Sequence, residues 1–293
     1  MSTLRLWLVA ARPRTLPAAI APVLVGTALA AQEDEFRALA FLAALIGSVF
    51  IQIGTNLSND YSDARRGADT EDRLGPVRVT AGGLIPPRRV LVGTYVAFGV
   101  AVAAGAYLAA VAGWELLAVG AASILAGVLY TGGPRPYGYE GLGELFVFLF
   151  FGVVAVTGSY FVQTEQLVWE AFALSVPVGL LAAAILVVNN IRDADTDRRA
   201  GKRTLAVRLG RERARNLWLA MVLVAVVVPF AVAAAGGLSW WLALTALSWP
   251  LVPPLWKQVS GHTDGPTLNA ALADTGRLLA IYSVLLATGT LLS

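Results

Sequence analysis

The chain contains no cysteine, one histidine and few charged residues, and these scarcities exclude whole classes of protein and site. Without cysteine there is no disulfide, no thiolate metal site and no cysteine nucleophile. Only 14% of the 293 residues are charged, whereas 57% are hydrophobic. Soluble domains are typically about 25% charged, so this chain has too little polar surface to be one. The composition predicts an integral membrane protein.

Long stretches without any charged residue predict where the chain crosses the membrane. About 20 apolar residues in a helix span the roughly 30 Å of hydrocarbon. One stretch is long enough for two spans, divided near Gly236 and Gly237. We therefore predict an all-α membrane protein: one domain over residues 1–293, a bundle of nine transmembrane helices and a cap of loops and short helices. The uncharged stretches are 15–32, 38–59, 90–114, 116–133, 145–164, 171–191, 217–256 and 278–293.

The distribution of lysine and arginine predicts the orientation. If the spans alternate in direction, every basic residue except Arg37 falls on one side. Cytoplasmic loops carry the excess of basic residues, so that side is predicted to be cytoplasmic. We expect a multi-pass protein of the cell membrane, with lipids and no nucleic acid among its partners. The arginine-rich loops either serve topology alone or also bind an anion.

Two short acidic motifs stand at the predicted cytoplasmic ends of spans. Asn59 and Asp63 are four residues apart, and Asn189, Asp193 and Asp197 repeat that spacing. On a helix such residues share one face. Crowded carboxylates at a membrane boundary repel one another and are costly to desolvate unless a cation lies among them. Mg²⁺ is the natural candidate, since proteins often hold it with one or two carboxylates and substrate phosphates.

Basic residues follow each acidic motif along the chain. Carboxylates would hold Mg²⁺, the metal would hold phosphate oxygens, and guanidinium groups would take the remaining oxygens. A diphosphate fits this pattern best, because each acidic arm can supply one metal. Such a site stabilises the charge on a departing diphosphate. Within a membrane bundle, the group that leaves the diphosphate is expected to be a lipid chain.

Residues 59–69 and 189–197 resemble the two signature motifs of the intramembrane aromatic prenyltransferases, the UbiA superfamily. The resemblance continues at residues 11–17, 75–78, 130–139 and 204–210, and so covers most of the chain. The first motif has Gly67 where many members carry another aspartate, and its acidic group arrives at Asp69 instead. That form resembles the branch that prenylates 1,4-dihydroxy-2-naphthoate.

The resemblance implies a reaction and a set of residue roles. The reaction would transfer a polyprenyl group from polyprenyl diphosphate to 1,4-dihydroxy-2-naphthoate, with loss of CO₂ and diphosphate, giving demethylmenaquinone. Two Mg²⁺ ions are expected, one on Asp60 or Asp63 with Asp69 and one on Asp193 and Asp197. Asn59 and Asn189 would orient the diphosphate. The counter-charges would be Arg78, Arg135, Lys202 and Arg203, and the rings facing an allylic cation would be Tyr130 or Tyr137.

Other functions and other residues stay open. A related enzyme with another acceptor, such as homogentisate, 4-hydroxybenzoate or a chlorophyllide, would share these motifs. A transporter or cation channel would also place carboxylates in a membrane bundle, although transporter sites tend to lie near the midplane. We expect Asp195 to be solvated or salt-bridged and His262 to lie in a surface turn. Glu144 either complements a helix N-terminus or borders the site.

Overall fold

The computed structural model describes residues 2–68 and 74–293, and within those ranges it contains helices and connecting loops but no β-strand. Asp69, a predicted metal ligand, lies outside the described residues. The helices in chain order are α1 (Thr3–Ala11), α2 (Pro17–Gln32), α3 (Ala38–Arg65), α4 (Pro87–Ala112), α5 (Glu115–Leu129), α6 (Gly143–Thr164), α7 (Trp169–Arg199), α8 (Leu205–Leu209), α9 (Arg211–Ala234), α10 (Val252–Gly261) and α11 (Gly265–Leu291).

Six of these helices are long and apolar enough to cross a membrane, namely α3, α4, α6, α7, α9 and α11. A seventh crossing is possible where the segment from α1 to Thr15 meets α2 at a bend of 54°. The prediction of an all-α, multi-pass membrane protein is confirmed. Helix α5 has only 15 residues, and α10 is preceded by a 3₁₀ run at Trp240–Leu251.

Helix α11 starts at Gly265, well before the uncharged stretch predicted from residue 278. The difference arises because two charged residues lie inside the helix. Asp274 and Arg277 are three residues apart, and their side chains form an ion pair at 3.3 Å. Opposite charges at this spacing stabilise a helix. The predicted start at residue 278, which was set by the absence of charge, therefore lies too far along the chain.

Helix α7 lies at the centre of the bundle. Of its most apolar window 72% is buried, against 17% for α3. It packs against α9, α11 and α6, and α3 packs mainly against α4. The core around α7 includes Leu181, Val188, Trp218 and Tyr282, all nearly inaccessible to solvent. The second acidic motif is therefore carried by the most enclosed helix.

Helix α6 contains a π-helical segment, Phe148–Val154, where it crosses α7. At the crossing, a Cβ atom added to Gly152 would lie 2.6 Å from the Cα atom of Gly179. Only two glycines allow the backbones to approach this closely. π-Helical turns are frequent at functional sites. Here the segment contributes Phe150, Phe151 and Val154 to the wall of the central cavity.

Candidate active site

A cavity of about 520 Å³ runs through the bundle between α3, α5, α6 and α7. One end is polar and contains residues of both acidic motifs. The remainder is apolar and extends along α3 as far as Ala44. At about 1.5 Å per residue, the distance along α3 from Ala44 to Asp63 is roughly 28 Å, close to the thickness of the hydrocarbon. The polar lining residues include Arg12, Asn59, Asp63, Arg78, Tyr130, Tyr137, Tyr139, Asn189, Asn190, Asp193, Asp197 and Lys202.

In the first motif, Asn59 and Asp63 both line the cavity, as their spacing predicts. The Asn59 side-chain oxygen accepts a hydrogen bond of 3.0 Å from the Thr131 hydroxyl. Asp63 accepts a 2.6 Å bond from the Tyr139 hydroxyl, and its other oxygen lies 3.3 Å from the Lys202 ammonium. The carboxylate of Asp63 is therefore buried between two polar partners that come from separate parts of the chain.

Asp60 is adjacent to Asn59 but faces a different neighbourhood. Its carboxylate accepts backbone hydrogen bonds from Val79, at 3.2 Å, and Thr80, at 2.9 Å. It is buried but does not line the cavity. The two carboxylates named as alternative metal ligands are thus separated: Asp63 opens to the cavity, and Asp60 anchors the loop that carries Arg78. The guanidinium of Arg78 lies 3.9 Å from Asp63.

In the second motif, Asn189, Asp193 and Asp197 line the same cavity. The stripe predicted from their spacing is present on α7. Asp197 accepts a 3.4 Å hydrogen bond from the Thr204 hydroxyl, and its backbone carbonyl accepts one of 2.8 Å from the Lys202 amide. Lys202 therefore contacts both motifs: its ammonium lies beside Asp63 of the first, and its backbone amide donates to Asp197 of the second.

Arg192 is a buried residue that the sequence reasoning did not include in the site. Its guanidinium donates to both oxygens of Asp193, at 2.8 and 2.6 Å, and to the side-chain oxygen of Asn189, at 2.8 Å. It also donates to Asn269 on α11, at 2.7 Å. The arginine side chain is only 2% exposed. The sequence signal for such a role was a charged residue directly after the uncharged stretch 171–191, two turns before the helix ends at Arg199, because an unpaired buried charge is costly.

Asn269 carries this network on to the first half of the chain. Its amide donates a 3.0 Å hydrogen bond to the backbone carbonyl of Leu74, at the start of the loop leading to Arg78. Arg192 thus touches two residues of the second motif directly and reaches the loop after the first motif through one amide side chain. The two halves of the site are joined by hydrogen bonds as well as by the cavity.

Aromatic rings form one wall beside the polar end. The rings of Tyr137 and Phe146 stack at 4.0 Å between centroids, and Tyr130 meets Tyr137 edge-on at 5.5 Å. The Tyr137 hydroxyl donates to the Ala126 carbonyl at 2.8 Å. Burial raises the pKa of the Tyr137 phenol well above its ordinary value. This tyrosine is therefore neutral at any physiological pH, and its ring faces the cavity.

Tyr139 was not among the predicted site residues, although its neighbours were. Besides the hydrogen bond that Tyr139 donates to Asp63, its ring lies 4.7 Å from the Lys202 ammonium.

Arg12 also lines the cavity, and its backbone has φ of 54°, a left-handed conformation that costs about 1–2 kcal/mol for a residue with a side chain. Arg12 donates to the Asn56 carbonyl at 3.4 Å.

Arg135 and Arg203, two of the predicted counter-charges, have exposed side chains and are not cavity lining. Their contact with substrate stays a prediction. Arg203 has a structural role through its backbone: its amide donates to the Tyr139 carbonyl at 2.8 Å. It therefore helps to fix the loop of Tyr139 beside the following helix, α8.

Asp195, His262 and Glu144 lie outside the cavity wall, and each has an identified contact. Asp195 is ion-paired with Arg211 at 2.9 Å, so its predicted salt-bridged role is confirmed. His262 is half-exposed in the loop before α11, so its prediction as a surface-turn residue is also confirmed. Glu144 is buried at the start of α6 and accepts a 2.8 Å hydrogen bond from Asn190. It does not line the cavity, but it holds a residue that does.

The donor set at the polar end suits a hard cation shared with a bound anion. It consists of carboxylate and amide oxygens from two helices, and none of the described residues that line the cavity is a histidine or carries sulfur. Over residues 2–68 and 74–293, no three acidic or histidine side chains are close enough together to hold a metal by themselves. Mg²⁺ usually needs only one or two carboxylates when substrate phosphates complete its shell. The site therefore fits a metal that arrives with its ligand.

Known proteins are similar to this chain in sequence and in fold. The sequence profile of the UbiA prenyltransferase family matches residues 19–271. The 1,4-dihydroxy-2-naphthoate octaprenyltransferase of Mycobacterium tuberculosis is 42% identical over 287 residues, covering 98% of this chain and 97% of that protein. The protein of the same description from Escherichia coli is 36% identical, covering 100% of this chain and 97% of its own length.

Solved structures agree with the fold. A UbiA homolog from Aeropyrum pernix has a TM-score of 0.68 at 17% identity, with 99% of this chain and 98% of that chain covered. A homolog from Archaeoglobus fulgidus, bound to DMAPP and Mg²⁺, has a TM-score of 0.61 at 14% identity, with 97% and 98% covered. Since the family profile spans most of the chain and full-length relatives exceed 30% identity, the protein belongs to the UbiA prenyltransferase family.

Proposed function

We propose that this protein transfers a polyprenyl group from polyprenyl diphosphate to 1,4-dihydroxy-2-naphthoate in a Mg²⁺-dependent reaction. The donor's carbon–oxygen bond breaks, a carbon–carbon bond forms on the naphthoate ring, and CO₂ and diphosphate leave, giving demethylmenaquinol, the reduced form of demethylmenaquinone. The observation that carries this proposal is one cavity with both acidic motifs at its polar end and an apolar continuation. The naphthoate acceptor is supported by the names of full-length relatives at 34–42% identity.

Asp63 on one side and Asp193 with Asp197 on the other would hold the Mg²⁺ ions, two in number, together with the diphosphate. Asp69 is part of this proposal but lies outside the described residues, and Asp60 is left to its role in the loop. When bound, Mg²⁺ neutralises the charge that develops on the leaving diphosphate. Asn59 and Asn189 would orient the diphosphate oxygens. Arg192, which donates to both oxygens of Asp193, would hold that carboxylate in its orientation.

Lys202 and Arg78 would supply protein counter-charges to the diphosphate. Both line the cavity and both approach Asp63. A bound anion can therefore replace Asp63 as the partner of their positive charges. The ammonium also lies against the Tyr139 ring, which limits where it can move. Arg135 and Arg203, at the exposed rim, would act on an arriving substrate before it is enclosed.

Tyr130 and Tyr137 would face the first prenyl carbon. Positive charge builds up on that carbon as the carbon–oxygen bond lengthens, and an aromatic face can stabilise a nearby cation. The rings of Tyr137 and Phe146 are held by stacking, and so the wall is rigid. The remaining prenyl units would lie in the apolar part of the cavity beside Phe150 and Val154.

The membrane arrangement that we propose has nine crossings and a site open to the cytoplasm. The crossings would be the six long apolar helices, the bent α1–α2 pair, α5, and the segment from Trp240 to Gly261. In this arrangement Arg37 is the only basic residue on the opposite side. Its ion pair with Glu165 at 2.8 Å links the two loops expected there.

The decisive experiment incubates the purified chain with Mg²⁺, a radiolabelled polyprenyl diphosphate and a panel of aromatic acceptors. We expect a labelled quinone lipid only with 1,4-dihydroxy-2-naphthoate, and none with EDTA or with the Asp63→Ala or Asp193→Ala variant. Product from another acceptor would retain the chemistry and change the acceptor. No product from any acceptor would contradict the proposal and favour transport.

A further inference from the structure

A second groove lies at the arginine-rich end of the bundle, between α1, α3 and α4, and no step of the proposed reaction uses it. Its volume is about 800 Å³, within the roughly 300–1,000 Å³ typical of small-molecule sites. Its walls are apolar and include Trp7 of α1, Phe50 of α3 and Val92 of α4. A ligand for this groove must therefore be largely apolar.

The groove has charge at one place and of one sign. Arg88 and Arg89, in the first turn of α4, are the only charged residues that line it in the described part of the chain. Both are exposed, and within residues 2–68 and 74–293 neither side chain forms an ion pair or a hydrogen bond with another side chain. Among the residues that the structure describes, no carboxylate lines the groove. A ligand with one anionic end and an apolar body would match both features.

Helix α1 leaves part of its apolar surface uncovered by protein. It has 9 residues, about 14 Å of helix, and is therefore too short to cross the membrane by itself. Trp7 packs against α4 so closely that a Cβ atom added to Gly93 would lie 2.7 Å from the indole ring. Leu4 and Leu8, by contrast, are 70% and 51% exposed and line the groove.

We propose that this groove binds an anionic phospholipid, with the phosphate on Arg88 and Arg89 and an acyl chain along α1 and α4. Basic residues at a membrane surface attract anionic headgroups, and basic pockets between membrane helices bind them specifically. The exposed side chains Leu4, Leu8 and Val92 then contact hydrocarbon. A zwitterionic lipid should bind more weakly, because its headgroup has no net negative charge to balance the two guanidinium groups.

The lipid also supports the central cavity through the end of α1. Ala11 lines the groove, and its carbonyl accepts a 3.0 Å hydrogen bond from the Asn56 side chain, one turn before Asn59. The next residue, Arg12, lines the central cavity and donates to the Asn56 carbonyl. A lipid that holds α1 against α3 therefore also holds Arg12. This coupling to activity rests on the proposed function, whereas the binding of the lipid does not.

The test measures lipid retention by native mass spectrometry of the full chain exchanged into mixtures of phosphatidylglycerol and phosphatidylcholine. We expect preferential retention of phosphatidylglycerol, weakened roughly 5-fold by each of Arg88→Gln and Arg89→Gln. The matched control is Arg213→Gln with Lys257→Gln, which removes two exposed charges on the same predicted side that form no ion pair within residues 2–68 and 74–293. That control is expected to retain phosphatidylglycerol as the unmodified chain does.

A second variant, Val96→Trp, fills the groove without changing charge, and we expect it to reduce phosphatidylglycerol retention as well. Equal retention by the Arg88→Gln/Arg89→Gln variant and the unmodified chain would overturn the proposal. So would an equal loss in the control, which would indicate diffuse surface charge. A concentration-dependent dimer abolished by Val96→Trp would assign the groove to a second copy of the chain. Retention is read without any substrate, so an inactive protein would still test the lipid site.

Discussion

The two acidic motifs have similar sequences but different surroundings, and the difference divides the site into a fixed half and an adaptable half. Asp193 is held by Arg192, its neighbour on the most buried helix of the bundle. Asp63 contacts Lys202, Arg78 and Tyr139, which come from the segments between the long helices, Tyr139 from a 3₁₀ turn and the other two from loops. A partner on the same rigid helix preserves geometry before any ligand binds. Partners on loops can exchange the carboxylate for an incoming anion.

The residues beside the motifs diverge in the same way. Asp60 anchors the backbone at Val79 and Thr80, whereas Asn190, its counterpart in the second motif, supports Glu144. The residue after the asparagine thus fixes a neighbouring segment in both motifs, but Asn190 also lines the cavity and Asp60 does not. Repeated spacing therefore predicts which helix face points inward, but it does not predict which segment Asp60 or Asn190 stabilises.

The largest expected effect is on catalysis. Asp63→Asn and Asp193→Asn should each lower kcat/KM by at least about 10²–10³-fold, the usual loss when one preorganised electrostatic group is removed from a transition-state site. Initial rates with labelled donor would measure this. Asp195→Asn is the matched control, since Asp195 lies in the second motif but is exposed and paired with Arg211. A comparable loss in that control would contradict the division of roles within the motif.

Arg192→Leu should have the largest effect on stability. It leaves Asp193 buried without its bidentate partner, and breaking a buried pair typically costs about 3–5 kcal/mol. Thermal unfolding in detergent would measure the loss. The double variant Arg192→Leu/Asp193→Leu removes both charges, so it should recover part of the stability. If the double variant were less stable by the sum of the two single losses, the pair would not be coupled.

Lys202→Met should raise KM for the prenyl diphosphate by about 10-fold, as expected for about 1.4 kcal/mol of lost anion binding. Its effect on stability should be smaller than that of Arg192→Leu, because Asp63 keeps Arg78 and Tyr139 as neighbours. Steady-state kinetics at varied donor concentration would separate KM from kcat. A stability loss as large as that of Arg192→Leu would remove the distinction between an adaptable and a fixed half.

Asp60→Asn tests the two neighbours within the first motif. An amide offers one oxygen where the carboxylate offers two, so one backbone donor of Val79 or Thr80 is left unsatisfied, at a cost of about 1–3 kcal/mol. We expect lower thermal stability with an unchanged Mg²⁺ requirement, measured by titrating the metal against initial rate. An increased Mg²⁺ requirement would instead indicate that Asp60 is itself a metal ligand.

The smallest expected effect is that of Tyr137→Phe. The substitution removes the hydrogen bond to Ala126 but keeps the stacked ring. One hydrogen bond is worth about 1 kcal/mol, so we expect the rate to fall by at most roughly 5-fold. Since the pKa of this phenol is raised by burial, the group stays protonated through neutral pH. The pH–rate profiles of the two proteins should therefore coincide. A missing limb in the variant's profile would show that Tyr137 titrates.

Several features of the structure could be read directly from the sequence. Uncharged stretches predicted an all-helical membrane bundle, because burying charge in hydrocarbon is expensive. The repeated four-residue spacing predicted that Asn59 and Asp63 share a face, as do Asn189, Asp193 and Asp197, and all five line one cavity. Asp195 was separated from them by the same helical period. These predictions succeeded because they depend on local geometry and on the cost of desolvation.

Other features depended on which segments meet in space. Nothing in the spacing distinguished Asp60 from Asp63 as cavity residues, because the loop at Val79 and Thr80 determines where Asp60 bonds. The network from Arg192 through Asn269 to Leu74 joins three distant parts of the chain. The sequence alone determined the membrane class, the helical architecture and the inward faces of the two motifs, since these follow from local periodicity and hydrophobicity. Tertiary packing decided the partner of each charge, because hydrogen bonds between distant segments exist only once the helices are packed.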